Sequence, residues 1–206
     1  MISISQAYII GFVIGDGNLS KIDFLIRMYD RDKEYVNSIL VPFFNKAFNK
    51  KPKTIYDSHN RGYVVYKNSK EVWTFLHNLG IPFGSKSRTV RVPQAINNSS
   101  LENKKAFLAA LFDAEGSIGR IVDKKRHPKG YIYFQLKTVN PTLIEQCATL
   151  LEETMGFRPR IYHYSYGSIL RINGPKQVVR ILKSLKVLHP RFLPILADKK
   201  HGPGSV

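Results

Sequence analysis

The chain has 206 residues, 32 of them Lys or Arg against 15 Asp or Glu, giving a formal charge of +17 at pH 7. Hydrophobic residues make up 43% and charged ones 23%, which excludes wholesale disorder and leaves enough apolar material for one domain or two small ones. So large a positive excess exceeds the needs of solubility and points to a polyanionic partner, nucleic acid first. The apolar run around Ile9 to Ile14 is broken by glycine and ends at Asp16, well short of the roughly 20 residues a membrane span needs. Met1 to Gln6 lacks a basic n-region and a small-residue cleavage site, so no secretory signal is expected. A single cysteine, Cys147, fits a reducing compartment. The expected location is intracellular: cytoplasm or nucleoid, or an organelle if the gene is organellar.

In chain order, periodicity and punctuation predict a helix from about Gln6 to Gly15, two strands within Asn18 to Tyr29, and a helix from about Lys33 to Phe48. Strands near Lys53 to Asp57 and Tyr63 to Lys67 follow, joined by the turn-forming run Ser58 to Gly62. A helix from about Lys70 to Leu79 stops at Gly80, before Pro82. Residues 88–99, with Pro93 and two asparagines, form a linker, and Ser99-Ser-Leu-Glu102 has the spacing of a capping box. The same order then returns: a helix, strands near Ile118 to Asp123 and Tyr131 to Thr138, and a helix from Pro141 to Met155. Strands at Arg160 to Tyr164 and Ile169 to Ile172 and a helix from Lys176 to Leu185 complete it. The expected fold class is α+β, with two pseudo-symmetric α-β-β-α-β-β-α units over 1–87 and 100–198 and a flexible tail over 199–206.

The repeat is visible in the residues themselves. Ala7-Tyr-Ile-Ile-Gly-Phe-Val-Ile-Gly-Asp-Gly17 matches Ala106-Phe-Leu-Ala-Ala-Leu-Phe-Asp-Ala-Glu-Gly116 in pattern, with Asp16 and Glu115 99 residues apart. Lys70 to Leu79 matches Lys176 to Leu185 at an offset of 106, and the basic stretch Asp123 to Gly130 supplies the difference. One acid before a helix-ending glycine, where αL backbone is at home, would carry little information. Two such acids at matched positions accept twice the penalty of facing the negative end of a helix dipole, roughly 0.3–1 kcal/mol each, so something positive should compensate. Gly11 and Gly15, with Ala109, Ala110 and Ala114, are small residues spaced for close helix packing, as ordinary core packing would also have them. If the two helices pair, Asp16 and Glu115 meet at the centre of a basic surface. Two close carboxylates repel unless one is protonated or a hard cation such as Mg²⁺ sits between them, bound also by backbone oxygens at Gly15 and Ala114.

These two motifs resemble the LAGLIDADG signature of homing endonucleases in their single-chain, two-motif form. The resemblance implies that Asp16 and Glu115 bind the catalytic divalent metals, Mg²⁺ or Mn²⁺, with Ca²⁺ supporting binding without cleavage. It implies a basic residue near each active centre: Lys86 in the first unit, with Arg191 its nearest counterpart. Ile14 departs from the earlier acid of the motif, which Asp113 keeps. It further implies a monomer cutting both strands of a long, pseudo-symmetric duplex DNA site, with no small-molecule cofactor. On this reading each unit lays its sheet in the major groove.

Alternation marks the candidate faces. Tyr131, Tyr133, Gln135 and Lys137 alternate with Ile132, Phe134 and Leu136, and Asp23, Arg27 and Tyr29 with Phe24, Ile26 and Met28. A merely solvated face has the same pattern. Asn18, Ser20, Lys21 and Arg61 in the first unit, and Ser117, Arg120, Tyr164 and Arg171 in the second, complete the set assigned to DNA. Lys124, Lys125 and Arg126 form either a solvated loop or a phosphate contact. Tyr162, Tyr164 and Tyr166 share one side and suit a core equally well. The six histidines lack zinc-ligand spacing, Cys147 reads as core, and neither a P-loop nor GxGxxG occurs. Two other functions suit the same features: an RNA-binding maturase assisting intron splicing, and a DNA-binding regulator without catalysis.

Overall fold

A computed structural model describes residues 1–123 and 127–197. The first unit comprises α1 (Ile4–Asp16), β1 (Gly17–Leu19), β2 (Leu25–Asp30), α2 (Lys33–Tyr35), α3 (Val41–Phe48), β3 (Lys53–Asp57), β4 (Gly62–Asn68) and α4 (Lys70–Asn78). After a connector holding α5 (Gln94–Asn97), the second unit repeats the order with α6 (Leu101–Glu115), β5 (Gly116–Asp123), β6 (His127–Thr138), α7 (Pro141–Met155), β7 (Arg160–Tyr164), β8 (Gly167–Asn173) and α8 (Pro175–Leu185). A 3₁₀ turn at Pro190–Phe192 and α9 (Leu193–Ala197) follow. The strands form two four-stranded antiparallel sheets of matching order, β1-β2-β4-β3 and β5-β6-β8-β7. The α+β pair of pseudo-symmetric units expected from the repeat is what the chain forms.

Local chemistry accounts for the boundaries and for several departures from expectation. The helix over 33–48 is one run interrupted by a π turn at Val36–Leu40. Pro42 has no N–H for the normal helical bond, and the turn ahead of it, where the Val41 N–H bonds the Val36 carbonyl, absorbs the irregularity. Helix α1 starts at Ile4, not near Gln6, because Ser3 and Gln6 close a capping box: the Gln6 N–H donates to Ser3 Oγ at 3.2 Å and the Ser3 N–H to Gln6 Oε1 at 2.9 Å. At α6 the cap is Ser100, whose hydroxyl accepts the Asn103 N–H. Ser99, expected there, instead donates to the Ile96 carbonyl, and Glu102 pairs with Lys105. Asp23 and Phe24 do not belong to the alternation of β2. They lie in the preceding loop, where Phe24 has a φ of 50° and packs edge-on against Trp73.

The two motif helices are apolar on nearly every side and form the centre of the molecule, buried from Ala7 to Gly15 and from Phe107 to Ala114. They pack against each other without room for side chains at two points. A Cβ on Gly11 would drive into the Phe107 carbonyl oxygen, and one on Gly15 would lie 2.6 Å from Ala114 Cβ. The glycines that end the motifs do not adopt the expected left-handed conformation: Gly17 has φ −114° and Gly116 φ −71°. Crowding explains them, since a Cβ would meet Val13 Cα at 2.5 Å at the first and the Phe134 ring at 2.5 Å at the second. The inner sheet faces, with Ile26, Met28 and Val65 in one and Phe134, Leu136, Leu170 and Ile172 in the other, close the core over these helices. Cys147 is part of that core, and burial pushes its thiol up to about 12.

The connector is sewn to the second unit. Asn140 Nδ2 donates to the Val90 carbonyl at 2.6 Å, and the Val92 N–H donates to Gln146 Oε1 at 2.9 Å. Replacing Gly11 with Ala should lower stability by about 1–3 kcal/mol, the usual range for overpacking, because the obstacle is backbone on the facing helix. Chemical denaturation of the two proteins measures it; equal midpoints would mean that α1 and α6 are not locked at this point.

Candidate active site

Each motif helix ends in an acid, and the close approach brings both acids to one place. A Cβ on Gly15 would stand 3.2 Å from Glu115 Cγ. Burial raises the Asp16 carboxyl to about 7, with the negative charge of Glu115 the next cause and Lys86 and Arg191 opposing. Glu115 is open to solvent on one side, yet the protein packed around it raises its carboxyl as well, against the pull of Lys86 and Arg191. Lys86 is half-buried and burial lowers it, with Glu115 and Asp16 opposing.

The positive compensation demanded by two acids at helix C-termini is present. Lys86 Nζ donates to the Gly15 carbonyl at 2.8 Å, at the end of α1. Arg191 reaches the end of α6, donating to the carbonyls of Ala114 at 3.0 Å and Phe112 at 3.3 Å, and also to that of Asp113. The two cations therefore satisfy orphan carbonyls and offset the helix dipoles while facing the acid pair.

A pair of desolvated carboxylates suits a hard divalent ion, since each is a strong oxygen donor held where its own charge is disfavoured. The Gly15 and Ala114 carbonyls already accept from Lys86 and Arg191, and each keeps one further lone pair. Among the described residues no group of three or more His, Cys, Asp or Glu gathers as a ligand cluster, so this pair is the candidate metal centre. A groove of about 920 Å³ runs from Asp16, His189 and Arg191 to Tyr29, Asp57 and Tyr63. On the other side Glu115 and Lys86 share a small niche with Lys137 and Thr138 of the second sheet.

Strand register decides which of the other candidates share a face. In the second sheet Tyr131, Tyr133, Gln135 and Lys137 point outward, and Ser117 is paired with Gln135 and Arg171 with Gln135 on the same side. Arg120 pairs with Ile132, a buried position, and so stands on the opposite face. Arg171 is the hub: it donates to Gln135 Oε1 at 3.1 Å and lies over the Tyr133 and Tyr162 rings at 4.4 and 5.5 Å. Tyr162 and Tyr164 lie on this outward side, while Tyr166 belongs to the turn and stacks on Tyr164 at 5.1 Å with Lys137 over its ring.

In the first sheet Asn18, Arg27 and Tyr29 point outward. Ser20, Lys21 and Asp23 lie in the loop between β1 and β2, and Arg61 sits in the turn before β4 with a φ of 50°. Lys124, Lys125 and Arg126, like the tail 199–206, lie outside the described residues. Register adds Lys53 and Tyr66, both paired across from each other beside Arg27, and Arg160, paired with Arg171. Sequence reasoning missed these because β4 carries Val64 and Val65 in succession, which blurs its alternation, and β3 is exposed on both sides.

Two copies of one α-β-β-α-β-β-α unit, joined through helices that end in acid-glycine, make up the chain. Residues 102–186, the second unit, match the LAGLIDADG-like domain. No curated protein sequence matches it. Among solved structures it is similar to mesophilic variants of the homing endonuclease I-DmoI, with TM-score 0.62 and 18% identity over 90% of this chain and 96% of that one. I-DmoI in complex with DNA and Mn gives TM-score 0.62 and 18% identity over 90% and 97%. The N-terminal LAGLIDADG domain of DUF199/WhiA gives TM-score 0.58 and 13% identity over 90% and 83%. At these identities the likeness is one of fold.

The raised Asp16 carboxyl has a measurable sign. Its folded value of about 7 lies above the ordinary 3.8, so the folded state favours the proton. Its contribution to stability is therefore complete below about pH 4 and is lost as pH rises through about 7. Asp113, raised by burial to about 6, adds to the same trend. Without metal, thermal unfolding should move down between about pH 5 and pH 8, and Asp16→Asn, which cannot ionise, should flatten part of that fall. An unchanged slope in the variant would show that Asp16 is not desolvated in this way.

Proposed function

We propose that the protein is a site-specific endonuclease that binds a long duplex DNA site as a monomer and hydrolyses one phosphodiester in each strand. The observation that carries this reading is the acid pair itself: Asp16 and Glu115, desolvated and adjacent, between two cations and at the inner margins of two polar sheet faces. A helix pair serving only as core has no use for a half-buried carboxylate beside a second acid, both facing Lys86 and Arg191. The charge of +17 supplies the attraction for a polyanion, and I-DmoI, whose fold this chain shares, has been solved in complex with DNA and Mn and with DNA and Ca.

Asp16 and Glu115 would hold the divalent ion, Mg²⁺ or Mn²⁺, which when bound polarises the scissile phosphate and activates water. Lys86 spends one N–H on Gly15, and an ammonium has three, so it retains donors for the charge that develops on the phosphate. Arg191 supplies the matching positive charge at the end of α6. The outward rows supply recognition. Arg27 in one sheet and Arg171 with Gln135 in the other present the donors and acceptors that read guanine and adenine edges in a major groove. Lys53 and Arg160 flank them, and Lys21 and Arg61 in the loops suit phosphate contact.

Fold alone does not carry catalysis. An RNA-binding maturase or a non-catalytic regulator would use the same basic faces but would not need the charge of the acids. Asp16→Asn and Glu115→Gln keep the shape of each side chain and remove that charge. On a duplex selected from a randomised library, Mg²⁺-dependent cutting should fall by orders of magnitude in either variant, while gel-shift affinity in Ca²⁺ should hold or tighten. Full double-strand cutting by either variant would refute the assignment of the acids. Preference of the unaltered protein for a structured RNA over every selected duplex would favour the maturase.

A further inference from the structure

The segment after α8, residues 187–192, carries Arg191 to the acid pair, and it hangs from a buried carboxylate. Asp113 is fully buried and accepts hydrogen bonds from the Leu188 N–H at 3.0 and 3.1 Å and from the His189 N–H at 3.0 Å. The Tyr8 hydroxyl of the other motif helix donates to it at 2.7 Å and stands 2.6 Å from the Tyr35 hydroxyl. From this anchor His189 turns its ring against Tyr35, with centroids 4.5 Å apart, and sets Nε2 3.4 Å from the Asp30 carboxylate at the end of β2. Its Nδ1 accepts the Arg191 N–H at 3.1 Å. Arg191 then reaches the carbonyls that close α6.

The pseudo-symmetric position has none of this. Ile14 stands where Asp113 would, buried and apolar. Lys86 is held by a turn and no buried acid: the Gly84 N–H donates to the Leu19 carbonyl at 3.0 Å, Asn18 Nδ2 donates to the Gly84 carbonyl at 3.2 Å, and the Lys86 carbonyl accepts from Thr89 and Val90 at 3.0 and 2.9 Å. The two basic groups of the site thus rest on unlike supports, one a turn and the other an acid shared between both motif helices.

We propose that Asp113 is the positioning residue for Arg191, acting through Leu188 and His189, and that it supports the cutting of one strand more than the other. The strand bias rests on the endonuclease reading; the support of the segment does not. On that reading the two scissile phosphates of a pseudo-twofold site would be distinct, each nearer one of the two cations. A guanidinium that loses its mount by a fraction of an ångström loses its place against one phosphate first.

Two measurements on the full chain separate these claims. In the DNA-free protein, hydrogen–deuterium exchange at Leu188 and His189 should speed up at least about 10-fold in Asp113→Asn, because the N–H groups lose a charged acceptor and the segment opens more readily. On a supercoiled plasmid carrying the selected site, with each strand followed separately, Asp113→Asn should slow one strand about 10-fold more than the other, so that nicked circles accumulate. Arg191→Ala should slow the same strand and Lys86→Ala the opposite one. Tyr8→Phe removes one bond and leaves the backbone bonds intact, so it should show the same bias in smaller degree, including if Asp113→Asn fails to fold. Equal slowing of both strands, or exchange at 188 and 189 unchanged in the variants, would overturn the proposal. If the unaltered protein cuts nothing while exchange still depends on Asp113, the endonuclease reading falls and takes the strand bias with it, but the support of the segment stands.

Discussion

The close approach of α1 and α6 is the contact on which every other feature of the site depends. At Gly11 and Gly15 the helices touch where any side chain would collide, one with a carbonyl oxygen and the other with Ala114. Only that spacing lets two chain segments 99 residues apart end side by side, each on an acid. The arrangement opposes itself: burial raises both carboxyls, the charge of Glu115 raises Asp16 further, and each acid faces the wrong end of a helix dipole. Lys86 and Arg191 relieve part of this by bonding the terminal carbonyls. What remains, a desolvated pair of negative charges, is the electrostatic shape of a cation site, and the same tension that destabilises the metal-free fold at higher pH gives a divalent ion something to bind.

The two units share a fold and differ in chemistry. Their sheets have the same strand order, yet one outward face centres on Arg171 clasped by Gln135, Tyr133 and Tyr162, while the other sets Arg27 beside Tyr66 and Lys53. Their motifs end alike, yet Asp113 is a buried hydrogen-bond hub and Ile14 is core. Duplication supplies a pseudo-twofold frame, and the outward and buried polar residues have diverged within it.

Most of the architecture was legible because it is written in periodicity. The alternation from Tyr131 to Lys137 appears in the burial of β6 residue by residue, and the two motif helices were evident as apolar runs ending in acid-glycine. Three kinds of feature were not legible. Caps shifted by a residue or two, at Ser3 and Ser100, because several serines offer equivalent spacing. Gly17 and Gly116 serve close packing where local rules suggest left-handed backbone, and only the neighbouring strands and helices reveal which applies. The hydrogen bonds of Asp113 come from Tyr8 and from residues 188 and 189, separations at which a sequence offers no pattern. The register that puts Arg120 on the inner side and Lys53 on the outer one is likewise a property of pairing, invisible in either strand alone.

The claim at the centre is that Asp16 and Glu115 form one cation site. Mn²⁺ binding followed by electron paramagnetic resonance, on the protein bound to its selected duplex, addresses it without requiring turnover. The unaltered complex should take up Mn²⁺ beyond what the free duplex holds, and the combined Asp16→Asn, Glu115→Gln protein, still bound to the duplex, should not. Equal Mn²⁺ uptake by both complexes would contradict the site.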